Sequence, residues 1–355
     1  MTGRTMRSDY MHWAKNQPPV RYNLASSEVP GFRLDRLPIR IEDLELDGAS
    51  RHRYPPLREA IAAKEGVSAD QVVMANGTSM ANFLALAALV SPGDEVLVEQ
   101  PTYEPMLAAA RFLGAEVKRF SRRGEDGFRL DPEAVERAVT PRTRLILIAN
   151  LHNPSGAFAD EEVLARIGAI GPRVLVDEVY LDSRPGARSA AHLGANFVTT
   201  NSLTKVYGLS GLRCGWILAE PETAERMWRL NELMGVAQPH ADERLGCIAF
   251  AHLGEIARGT PDLLDRNRAL VESFIAERSE LDCAPLRQGI TAFPRLLGLD
   301  VDSLHALLVS RYDTSIVPGR WFESPDRFRL GYGQATDLVE AGLERLGSAL
   351  DELGR

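Results

Sequence analysis

A lysine set among hydroxyl-bearing and small residues is the first candidate for chemistry in this chain. Lys205 lies in Ser202-Leu203-Thr204-Lys205, and Gly208, Gly211 and Arg213 follow it. The stretches on either side, Phe197-Val198-Thr199-Thr200 and Gly215-Trp216-Ile217-Leu218-Ala219, read as buried strands. A lysine between apolar strands is partly desolvated. Burial disfavours its ammonium form, lowers its pKa and leaves an amine able to attack a carbonyl. That is what a Schiff-base lysine requires.

Four further groups fall at strand ends. Asn76-Gly77-Thr78-Ser79 joins a strand to a helix, where free N–H groups, the helix dipole and two hydroxyls can cradle a phosphate. A plain capped helix start looks the same, and the segment is neither GxGxxG nor GxxxxGK[ST]. Asp177, in Asp177-Glu178-Val179-Tyr180, ends an apolar strand, a position where α/β sheets bind ligands, although it could equally cap a helix. Tyr180, three residues on, lets a phenol and a carboxylate address two sides of one aromatic heterocycle. Leu151-His152-Asn153-Pro154-Ser155-Gly156 is a turn that can aim the Asn153 amide at a ligand, or simply a turn. Arg213 offers a fork of donors to phosphate. A phosphate cradle, an acid, an amide, a phenol and an imine-forming lysine together suit pyridoxal phosphate (PLP), an electron sink held by a lysine and an acid partner to its ring nitrogen.

The elements that must position these groups alternate. Strands are predicted at 72–75, 95–98, 145–149 and 174–177, with helices over 57–64, 80–90, 105–113 and 160–170. Short, wholly apolar strands between helices predict a mostly parallel sheet covered on both faces, a three-layer αβα arrangement. After residue 220 come helices over 222–234, 241–252 and 261–281, strand-like pieces at 290–293 and 328–330, and an amphipathic helix over 338–353. Residues 1–50 read as irregular, broken by Pro18, Pro19, Pro30, Gly31 and Pro38. The expected division is a large domain over 50–255 and a smaller α+β domain from 1–49 and 256–355.

Composition narrows the function classes. A net charge of −8 and the lack of long basic runs argue against nucleic acid and anionic membranes. Three widely spaced cysteines, Cys214, Cys247 and Cys283, with no CxxC pair, fit a reducing cytoplasm rather than a disulfide framework. The longest mostly apolar run, 81–90, is far short of a membrane span. His12, His52, His192, His240, His252 and His305 show no metal-ligand spacing, and no metal is expected. Trp13 and Trp321 could wall a pocket or simply pack.

From about Arg53 to Gly333 the chain resembles fold-type I PLP enzymes of the class I/II aminotransferase family, on Ser202-Leu203-Thr204-Lys205 with Gly208, Gly211 and Arg213, and on Val317-Pro318-Gly319-Arg320-Trp321-Phe322. The resemblance implies that Lys205 carries the Schiff base and that Asp177 keeps the ring nitrogen protonated. It implies that Ser202, Arg213, Gly77, Thr78 and Ser79 hold the cofactor phosphate. Tyr103 would stack on the ring, and Asn153 and Tyr180 would bind its 3-oxygen. Tyr54 would reach the phosphate of a neighbouring subunit, hence a homodimer. Arg329, in Phe328-Arg329-Leu330, would bind the substrate carboxylate; its apolar, strand-like setting favours it over Arg327. Two segments depart from the family pattern: Leu24-Ala25-Ser26-Ser27-Glu28-Val29-Pro30 replaces a Gly-rich stretch, and the asparagine loop opens with Leu151-His152.

The implied activity is transfer of an α-amino group from an amino acid to a 2-oxo acid. The same residues would serve β-elimination, or a replacement or cyclisation that begins by removing the α-proton. Ser202-Leu203-Thr204-Lys205 also fits the S-x-x-K of serine acyl transferases, but the accompanying KTG and SDN triplets are missing. A non-enzymatic ligand sensor of the same fold would carry a DNA-binding helical module in front, a pattern the first 50 residues lack.

Overall fold

The computed structural model describes residues 5–44, 46 and 53–355. The boundary expected between residues 49 and 50, and His52, lie outside the described residues. The short strand β1 (Tyr22–Asn23) pairs in parallel with Thr314–Ser315. Seven strands then build one sheet: β2 (Val72–Asn76), β3 (Glu95–Gln100), β4 (Glu116–Ser121), β5 (Thr143–Ala149), β6 (Arg173–Asp177), β7 (Phe197–Ser202) and β8 (Cys214–Leu218). Their order is β2-β8-β7-β6-β5-β3-β4. Only β8 runs against its neighbours, β2 and β7; all other pairs are parallel.

Side-chain alternation explains why the central strands read as unbroken apolar runs. Leu145 and Leu147 of β5 join one buried core, while Ile146 and Ile148 join the core on the opposite face. Leu175 and its neighbours Val174 and Val176 divide the same way. A third core holds Leu24 together with Val271, Leu304, Phe328, Leu346 and other C-terminal residues, so the N-terminal segment folds onto the end of the chain.

This topology sets the site. Because β8 is reversed, β2, β3, β5, β6 and β7 all end at one edge of the sheet, and β8 begins there. The segments after each end carry Gly77, Tyr103, Asn153, Tyr180 and Lys205, and Arg213 immediately precedes β8.

Helices over Pro132–Ala138 and Val301–Arg311 were not expected from the sequence, and two further elements also differ from expectation. Residues 1–50 contain a helix, α1 (Asp9–Lys15), capped by Ser8, whose Oγ accepts from Met11 N at 3.1 Å. Seven residues are too few for a stable isolated helix. Packing holds it: Tyr10 is buried against Tyr103 and Phe322, at ring distances of 5.7 and 5.9 Å. The edge strand β4, Glu-Val-Lys-Arg-Phe-Ser, has one buried residue, Phe120, and so lacks the apolar run that marks its neighbours. The helices α2 (Pro55–Glu65), α3 (Gly77–Leu89) and α4 (Glu104–Phe112) lie within a few residues of their predicted bounds. Among the described residues, no helix is long and apolar enough to cross a membrane.

Candidate active site

The end of β2 runs directly into α3, so the first N–H groups of that helix have no intrahelical partners and face the sheet edge. Gly77 has φ +75°, and a Cβ there would overlap the Arg213 guanidinium. A Cβ on Gly215 would stand 2.6 Å from the Gly77 carbonyl carbon. These two glycines let Arg213 and β8 lie directly over the helix start. Arg213 donates from Nη2 to Asn76 O at 3.3 Å and from Nη1 to Ser210 O at 3.2 Å. Thr78 Oγ1 donates to Ser202 Oγ at 2.9 Å, which leaves the Ser202 hydroxyl proton free for an incoming anion. Ser79 is exposed on the same first turn. Guanidinium, hydroxyls and free N–H groups form a cluster rich in donors, with chemistry that fits a phosphate. Gly77→Ala should force an L-residue into left-handed backbone and displace Arg213. Cofactor dissociation, followed by dialysis and absorbance, should rise about tenfold.

Asp177 ends β6 fully buried. Its Oδ2 accepts from Asn82 Nδ2 at 2.7 Å, and its Oδ1 from Val179 N at 3.0 Å. Thr200 Oγ1 in turn donates to Asn82 Oδ1 at 2.6 Å, fixing which way the amide points. Burial pushes the Asp177 carboxyl above the usual carboxylate range. A ring nitrogen that brought its own proton would offset that cost and hold the carboxylate charged. The Tyr180 hydroxyl donates to Ser27 Oγ at 2.9 Å; burial pushes its pKa up to about 12, so the phenol stays protonated. Tyr103 meets Tyr10 edge-on, and its hydroxyl lies 3.3 Å from Met11 Sδ.

Arg329 is 2% exposed. It donates from Nη1 to Asn153 Oδ1 at 3.0 Å, and from Nη2 to the Tyr10 hydroxyl at 3.2 Å and Ala25 O at 3.1 Å. Its Nε is buried without a partner, and among the described residues no carboxylate pairs with it. A buried guanidinium with only neutral partners favours an incoming anion, which can use the orphaned donor. Arg327 instead lies over the Phe128 ring at 5.1 Å and donates to Phe293 O at 3.1 Å. Arg329→Gln should therefore raise KM for an amino acid at least about 30-fold, the usual cost of removing one member of a buried charge pair, while Arg327→Gln should change it little.

Lys205 follows β7 with 28% of its side chain exposed, and its Nζ lies 3.6 Å from Glu28 Oε2. Burial lowers its pKa, and the Glu28 carboxylate opposes that shift. The N-terminal segment is tied down beside it by Val29 N donating to Lys205 O at 3.0 Å and Phe32 N to Gly208 O at 3.1 Å. Gly208 makes this crossing possible, since a Cβ there would overlap Pro30 O. Tyr54 precedes α2 and meets the His240 ring edge-on at 5.2 Å. Trp13 and Trp321 pack on each other at 5.5 Å beside Tyr10.

Sequence reasoning missed Tyr10, Ser27, Asn82 and Thr200. Asn82 left a signal: it is a polar residue in the otherwise apolar Met80-Ala81-Asn82-Phe83-Leu84-Ala85. Tyr10 and Ser27 left none, because their places depend on how the N-terminal segment wraps back over the sheet edge.

The chain is also similar to known proteins. The family model described as aminotransferase class I and II matches residues 20–346. A capreomycidine synthase of Streptomyces vinaceus is 32% identical over 83% of this chain and 78% of its own length. The crystal structure of a PLP-dependent aminotransferase from Streptococcus suis superposes with a TM-score of 0.91 at 25% identity, covering 99% of this chain and 100% of that one. The PLP-dependent cyclase OrfR superposes with a TM-score of 0.89 at 25% identity, covering 99% of each chain.

Proposed function

Since the chain belongs to the class I and II aminotransferase family, whose cofactor is PLP, we propose that it moves the α-amino group of an amino acid to a 2-oxo acid with Lys205 as the cofactor-bearing base. The observation that carries this reading is the meeting, at one sheet edge, of a largely buried lysine, a donor-rich anion cradle, a buried acid and a buried arginine that no carboxylate pairs with among the described residues.

When bound, the cofactor supplies an electron sink for the negative charge left on the substrate α-carbon. Gly77, Thr78, Ser79, Ser202 and Arg213 hold its phosphate. Asp177 keeps the ring nitrogen protonated, with Asn82 and Thr200 holding that carboxylate in place. Tyr103 would cover one ring face, Asn153 would donate to the ring oxygen, and the Tyr180 hydroxyl would turn from Ser27 to do the same. Arg329 takes the substrate α-carboxylate, so that the α C–H bond is aligned before it breaks. The Lys205 amine would take the α-proton and serve as the site's acid–base group. Burial shifts Lys205 toward its neutral amine, the form that can accept the proton. We further propose a homodimer in which Tyr54 serves the partner's phosphate, and a second domain formed by both chain ends.

A second reading is raised by the names of two relatives, a synthase and a cyclase: α-deprotonation followed by elimination or ring closure, with the same residues. Adding an amino acid without any oxo acid separates the two. Transamination consumes one equivalent per site and stops until an oxo acid is supplied. Continued turnover without an oxo acid favours the second reading, and release of ammonia then distinguishes elimination from a closure that keeps the nitrogen.

A further inference from the structure

The carboxylate of Glu28 stands beside the reacting amine, and the proposed chemistry does not use it. It stands on the N-terminal segment, between Ser27, which accepts from Tyr180, and Val29, which donates to the Lys205 carbonyl. Gln334 Nε2 donates to Glu28 O at 2.7 Å and to Ser26 Oγ at 3.2 Å, so both ends of this short stretch are pinned. The side chain is 35% exposed and turned toward the reacting amine, and its ion pair with Lys205 spans 3.6 Å.

We propose that Glu28 selects the substrate's side chain, taking the cationic ammonium or guanidinium of a basic amino acid. This rests on the proposed assignment of Lys205 and Arg329. Arg329 is assigned to the α-carboxylate. With substrate bound, Lys205 is displaced from the cofactor and must be uncharged to take the α-proton, so Glu28 has then lost its ion-pair partner. An apolar side chain would leave the carboxylate partly desolvated and uncompensated, and an acidic one would add like-charge repulsion. A cationic side chain restores the pair. Hydrogen bonds on either side hold the backbone that carries this carboxylate.

Paired isosteres test charge at constant shape: arginine against citrulline, and lysine against norleucine, each titrated into the holoenzyme and followed by the absorbance change of the cofactor. The wild type should bind each cationic member about five- to tenfold more tightly than its neutral partner, as expected for a part-exposed charge pair. Glu28→Gln should reduce both ratios to near one, mainly by weakening the cation, and Glu28→Asp should keep part of the preference. Equal binding of both members by the wild type overturns the proposal, as does a Glu28→Gln variant that weakens all four ligands equally. Failure of every amino acid to perturb the cofactor spectrum would instead count against the Lys205 assignment, so the two failures are distinct.

Discussion

Lys205→Ala is expected to abolish the imine absorbance of the holoenzyme and to lower turnover by at least about a thousandfold, within the range attributed to a positioned general base. Two roles vanish together. The covalent anchor goes, yet the cofactor should still bind, because the phosphate donors around Gly77 and Arg213 do not depend on the lysine side chain. The proton carrier also goes, and this loss should be partly repairable. Small primary amines such as methylamine fit the space left by the truncated side chain, and their free-base form should restore part of the rate. Rescue should increase with pH as more of the added amine becomes unprotonated. The wild type should depend less steeply on alkaline pH, because burial shifts Lys205 itself toward its neutral form. A variant with normal turnover, or one whose cofactor still shows the imine band, contradicts the assignment.

Asp177→Ala should separate cofactor binding from chemistry. The phosphate cradle holds the cofactor, so binding should fall only modestly. Cleavage of the α C–H bond should slow roughly 10²- to 10³-fold, as when one preorganised electrostatic contact to a developing charge is lost. Single-turnover rates with an α-deuterated amino acid read this step directly: the variant should show a larger isotope effect as proton removal becomes limiting. Asn82→Ala acts through the same carboxylate and should give a smaller loss of the same kind, since Val179 N still fixes the other oxygen. An unchanged single-turnover rate in the Asp177 variant would reject the role.

The parts of this site that were legible in the sequence are those carried by strand ends. An apolar strand followed by a polar residue is a local pattern, and it marks Asp177, Asn153 and Lys205 without knowledge of the sheet order. Gly77 and Gly215 were visible as residues, but their physical reason, the close passage of Arg213 and β8 over the helix start, requires the antiparallel insertion of β8. The edge strand β4 was invisible because one of its faces is solvated and its apolar residues alternate with charges. The N-terminal segment was the least readable. Tyr10, Ser27 and Glu28 belong to a stretch whose position is set by contacts with Arg329, Tyr180 and Lys205, each well over a hundred residues away in sequence. Nothing local announces such contacts, and a seven-residue helix carries too weak a periodic signal to draw attention to Tyr10.

The most direct test of the central claim is chemical. The purified holoprotein is treated with borohydride, digested, and each peptide weighed. The account predicts a single phosphopyridoxyl adduct, on the peptide containing Lys205, with loss of the imine absorbance in proportion to labelling. An adduct on another lysine, or none on a protein that retains bound cofactor, contradicts it.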